Sequence, residues 1–127
     1  GREGIDVFSS SLRGIFNKLK TNDIETIYLS PNMMNTYVSN FLKDDILINI
    51  AHRTAELQNS GIMDFYMKTA IDVCVEESIT VCDCYQIWKN MHKSGVDVTS
   101  LLSNYINHPT REMHDIFAYS LFESIIS

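Results

Sequence analysis

Three cysteines lie close together in the sequence, Cys74, Cys82 and Cys84, with His92 following. Thiol and imidazole are the ligand types of structural zinc, which needs four of them converging as a tetrahedron. If Cys82 and Cys84 shared one helix, side chains two residues apart would point about 200° apart. They could then not chelate together, and Cys84 reads as a small apolar residue in the stripe Val81, Cys84, Trp88, Met91. No metal and no cofactor is expected. The four histidines, His52, His92, His108 and His114, show no His-x-x-x-His spacing. A Cys–His nucleophile pair would have to meet in the fold, and nothing in the spacing favours one. Two carboxylate pairs, Asp44–Asp45 and Glu76–Glu77, could do acid–base work. Both fall at the ends of helical patterns, where acidic residues are ordinary punctuation. Gly61 and Gly95 are isolated, so no glycine-rich phosphate loop exists.

The elements that must position these groups read as helices. Val7, Leu12, Ile15, Phe16 and Leu19 mark the first. Ser30–Pro31 has the form of a helix start, followed by Met33, Met34, Tyr37, Val38, Phe41 and Leu42. A third helix carries Ile46, Leu47, Ile50, Ala51, Thr54 and Leu57, and stops at Ser60–Gly61. A fourth runs from about Met63 to Glu77, and a fifth from about Ser78 to Lys93, stopping at Ser94–Gly95. Ile79–Cys82 has some strand propensity, but Ile87, Trp88 and Met91 continue the pattern helically. A short sixth helix covers Val98 to Ile106. The last, capped by Thr110, buries Met113, Ile116, Phe117, Ser120, Leu121 and Ile125. The expectation is all-α: six or seven short antiparallel helices without a sheet, as a compact helical bundle or a short α-solenoid.

The chain has 127 residues, 45% of them hydrophobic and 20% charged, enough for one helical domain over residues 1–127. The final helix meets no stop signal before Ser127, and Gly1 has the look of a cloning remnant. Both suggest a domain excised from a longer protein. An odd number of clustered cysteines is no secreted disulfide framework, so an intracellular, reducing compartment is expected. No apolar run approaches a membrane span. The net charge is −6 and the ten basic residues are scattered, which opposes binding to polyanions.

The two Ser-Gly stops lie 34 residues apart, and sliding the chain by that period places Met33 on Met67, Leu57 on Met91 and Gly61 on Gly95. Residues 84–96, from Cys84-Tyr85-Gln86-Ile87-Trp88 to Ser94-Gly95-Val96, resemble the second helix of the pentatricopeptide repeat. Residues 35–43 are similar to its first helix, and the resemblance covers residues 32–98 as two copies. It implies stacked helical hairpins that bind single-stranded RNA in a basic groove. The implied base-reading positions would be Thr36, Ala70 and Asn104, and Asp72 stands where the family has an aliphatic residue.

With no catalytic constellation, the function expected is a non-enzymatic helical interaction domain, adaptor or regulatory in kind. It would bind a partner helix or peptide of another protein through an apolar groove. Met33, Met34, Tyr37, Met67, Tyr85 and Trp88 are the candidate contact residues. The alternatives are a single-stranded RNA-binding helical repeat, which the charge disfavours, and a small helical enzyme. The oligomeric state is left open.

Overall fold

The computed structural model describes residues 2–126, so the readings of Gly1 and Ser127 lie outside it. The described chain is mostly helical: α1 (Ile5–Thr21), α2 (Asp45–Asn59), α3 (Ile62–Glu76), α4 (Cys84–Lys93) and α5 (His114–Ile126). Five helices replace the six or seven expected. Two short strands, β1 (Ile27–Leu29) and β2 (Thr80–Cys82), pair in parallel and correct the expectation of no sheet. Ile27 faces Thr80, Tyr28 faces Val81 and Leu29 faces Cys82. These β-branched and aromatic residues suit a pleated, half-buried surface. A parallel pair needs a long crossover, and residues 30–79 supply it with α2 and α3.

The largest departure from expectation is residues 30–44, where the Ser30–Pro31 signal promised a helix and none forms. A helix satisfies its amides from carbonyls four residues back. Here the amides find partners far away in sequence. Met34 N–H donates to Gln58 Oε1 at 2.8 Å. Asn35 N–H donates to the Ile106 carbonyl at 2.9 Å. Thr36 N–H donates to Thr99 Oγ1 at 2.9 Å. The fully buried Asn35 side chain donates to the carbonyls of Tyr37 and Ala51, both at 2.9 Å, and accepts from the Thr54 hydroxyl. Side chains of Ser, Thr and Asn compete with helical hydrogen bonding in this way. Ser30 does act as a cap, but for another element: its Oγ accepts from Tyr85 N–H at 2.9 Å at the start of α4.

Two further helices are shorter than expected. Ser78 takes φ +56° and Ile79 N–H closes onto the Cys74 carbonyl, so the chain leaves α3 into β2 and α4 starts only at Cys84. After a single 3₁₀ turn at Val98–Leu101, Asn104 Oδ1 accepts from the amides of Ile106, Asn107 and His108 at 3.0–3.1 Å. With Tyr105 at φ +58°, that turn stops the helix expected to reach Ile106. The helical hairpin α2–α3 is as expected. Asp44 caps α2 by accepting from Ile46 and Leu47 N–H, and Gly61 makes the link at φ +85°. Gly95 stands at φ +94° after α4. Residues 62–95 thus hold two helices with a strand between them, while residues 32–43, one period earlier, are not helical.

The core has two centres. Met33, Tyr85, Trp88, Val98 and Leu102 form one, surrounded by Met63, Met67, Met91, Leu101 and Met113. Phe16, Val73, Cys74 and Ile79 form the other, where α1 packs on α3 beneath the sheet. Arg13–Glu76 and Lys20–Glu77 ion pairs at 2.9 and 3.0 Å rim that second contact.

Replacing Asn35 with Ala should destabilise the protein by about 2–3 kcal/mol, because buried partners lose their hydrogen bonds. Replacing exposed Asn40 with Ala should be nearly silent. Urea unfolding of both variants checks this, and equal midpoints would refute the role given to Asn35.

Candidate docking surface on the C-terminal helix

α5 contains Ile116, Phe117, Tyr119, Leu121, Phe122, Ile125 and Ile126 within thirteen residues, and none of its residues is fully buried. Its half-buried side chains, Ile116, Phe117, Ser120, Leu121 and Ser124, recur at helical spacing and face β2 and α4. The opposite face is apolar as well. Tyr119 is 73% exposed, Phe122 59% and Ile125 66%. The expectation that Ile125 is buried is therefore corrected. The reason is angular: Ile125 lies seven residues beyond exposed Ala118 and three beyond Phe122, on the outer stripe. Asp115 flanks Ala118, Tyr119 and Phe122 in a shallow depression on this face. A helix hydrophobic all round normally lies buried.

The six contact residues expected from the sequence do not gather on one surface. Met33, Tyr85 and Trp88 are buried in the first core centre. Met67 is half-buried against that centre, and Met34 is half-buried. Tyr37 alone of the six is exposed, at 46%, with its hydroxyl donating to Asp97 at 2.8 Å. Nearby in sequence, Phe41 is 73% exposed and stacks on Tyr105 with ring centroids 5.3 Å apart. The outer residues of α5 were missed, although their signal was present: apolar residues on both faces of one helical pattern.

Three of the four paired carboxylates have structural partners. Asp44 caps α2, and Glu76 and Glu77 pair with Arg13 and Lys20. Among the described residues no group of three or more His, Cys, Asp or Glu is placed to hold a metal ion. Thr36 bonds Thr99, Ala70 is fully buried, and Asn104 closes its own turn. No described helix is long and apolar enough to cross a membrane.

Tyr85 links three neighbouring side chains. Its hydroxyl donates to Asp64 Oδ1 and accepts from Gln58 Nε2, both at 2.7 Å, and Lys89 pairs with the same carboxylate at 3.0 Å. Burial, and then the Asp64 hydrogen bond, push the Tyr85 hydroxyl well above its ordinary value of 10.0. These groups border a cleft of about 330 Å³ between α3 and α4, with Met67, Lys68 and Lys93 on its walls.

Comparison with protein-family models, with curated proteins and with solved structures gives no match to this chain.

The raised Tyr85 value sets a pH dependence. The folded state resists losing that proton, while the unfolded chain loses it near pH 10.0. The Tyr85 contribution to stability is therefore full below that pH and is lost as pH rises toward the higher folded value. Wild type should lose stability from about pH 10 upward more steeply than Tyr85→Phe. Parallel urea curves for the two across pH 8–11 would refute this assignment.

Proposed function

We propose that the protein is a non-enzymatic interaction module that binds another protein, taking an amphipathic helix of its partner along the outer face of α5. One observation carries this reading. α5 spends one apolar stripe on its own domain and leaves a second, with Tyr119, Phe122 and Ile125, in water. Exposed apolar patches of this kind mark sites of association. A partner helix would bring its own apolar stripe against Tyr119 and Phe122, aromatic anchors of the type that dominate binding energy.

Charge supports the choice of partner. The chain carries −6, and Asp115 and Glu123 stand on α5 itself. A partner helix with Lys or Arg beside its apolar stripe is complementary to that rim. Four basic side chains, Arg13, Lys20, Lys68 and Lys89, are already paired with carboxylates. The ten Lys and Arg are scattered along the chain rather than clustered, and clustered contacts to a phosphate backbone dominate nucleic-acid affinity.

The test is capture from a cell lysate treated with nuclease, using wild type and Phe122→Glu as baits. Phe122→Glu should keep the wild-type unfolding midpoint to within about 0.5 kcal/mol, since it changes an exposed position. It should weaken retention of the captured protein at least tenfold, about 1.4 kcal/mol. Capture that is unaffected by the substitution, or abolished by nuclease, would end this reading.

A further inference from the structure

We propose that Cys82 and Cys84 form a reversible dithiol–disulfide site at the foot of α5. Residues two apart on one helix diverge, but these two do not share a helix. β2 ends at Cys82 and α4 begins at Cys84. Asp83 between them takes φ −89° and ψ 75°, close to an inverse γ-turn, which folds its neighbours toward one another. That bend is fixed from outside: Asp83 Oδ1 accepts from Ser30 Oγ at 2.8 Å and from Gln86 N–H at 3.2 Å. The two sulfurs are thereby held 3.9 Å apart. A disulfide bond is about 2 Å long, so closure requires the sulfurs to approach by roughly 2 Å. Cys74, the third thiol, packs with Phe16, Val73 and Ile79 in the second core centre.

The two thiols are not equivalent. Cys82 lines a cleft of about 630 Å³ whose opposite wall is α5, with Ser120, Glu123 and Ser124. Both thiols are buried, but Cys82 keeps 3% of its surface at that cleft while Cys84 behind it keeps none. Burial, and then the neighbouring Cys82, push the Cys84 thiol up to about 12, with Ser120 of α5 pulling the other way. Exchange with a small disulfide, such as oxidised glutathione, therefore starts at Cys82. Its thiolate attacks one sulfur of the reagent, breaking that S–S bond and releasing one small thiol. Cys84 then gives its proton to water or buffer and attacks the Cys82 sulfur, expelling the second small thiol. Two cysteine thiols lose two protons and two electrons, and the small disulfide gains both and leaves as two thiols. The site does not depend on what α5 binds.

The full reduced chain is equilibrated with mixtures of reduced and oxidised glutathione, quenched in acid, and alkylated in denaturant. The expected product has lost two hydrogens and keeps one alkylatable thiol, Cys74. Proteolysis on the N-terminal side of Asp72, Asp83 and Asp97 should then leave residues 72–82 and 83–96 joined until a reductant is added, with the alkyl group on Cys74. Cys74→Ser should give the same bridge. Because the fold holds the sulfurs together, the equilibrium constant should be at least about tenfold larger in buffer than in urea. Three alkylatable thiols, a stable glutathione adduct, a bridge through Cys74, or an equal constant in urea would each overturn the proposal.

Discussion

Residues 30–44 cross the first core centre without secondary structure of their own, and every buried amide along them needs a partner from somewhere else. Gln58 of α2 supplies one, the carbonyl of Ile106 a second and the hydroxyl of Thr99 a third. The neighbouring elements are placed accordingly. Met33 enters the core beside Trp88 and Val98 because the residues after it are tied on both sides. Gln58 can serve Met34 with its oxygen only because its nitrogen is turned toward Tyr85. Tyr85 in turn binds Asp64, and Asp64 holds Lys89. One chain of hydrogen bonds thus joins the crossing segment to α2, α3 and α4. Such a network rigidifies a core when every member is satisfied.

The same requirement explains the small sheet. Once residues 30–44 cannot be a helix, the chain before them runs extended, and Ser30 N–H continues the β1–β2 ladder to the Cys82 carbonyl at 3.1 Å. Ser30 then uses its hydroxyl twice, donating to Asp83 and accepting from Tyr85 N–H. A single buried serine therefore ends β1, starts α4 and sets the bend that brings Cys82 and Cys84 together. The sulfur pair is a by-product of the polar accounting around it.

α5 stands apart from this network. It rests on β2 and α4 mainly through half-buried apolar side chains, with the Ser120 hydroxyl beside the Cys84 thiol as a polar contact to α4. Its position depends on non-directional apolar contact, which tolerates adjustment far better than buried hydrogen bonds do. An element held in this way can adapt to a partner without disturbing the core. That property, together with its second apolar stripe, fits the docking role proposed for it.

Local signals in the sequence determined α1, α2, α3, the body of α4 and most of α5. Each has an apolar stripe at helical spacing, and Asp44 and Gly61 mark ends that depend on a few neighbouring residues. The buried identity of Cys84 was legible for the same reason, whereas Trp88, expected at a partner contact, lies in the core. What failed were inferences that turned on a polar side chain whose partner is not its nearest helix end. Ser30 reads locally as the cap of its own helix and caps α4 instead. Asn35 reads as part of a helix and lies fully buried outside one. Asn104 reads as part of a helix and ends one. Cys82 and Cys84 read as diverging, and a strand-to-helix change at Asp83 brings them together. The outer stripe of α5 was present in the sequence, but a stripe does not say which side the domain will cover. Periodicity is a property of a short window of chain. The partner of a hydrogen bond 24 or 63 residues away, as for Met34 and Thr36, exists only once the whole chain has packed.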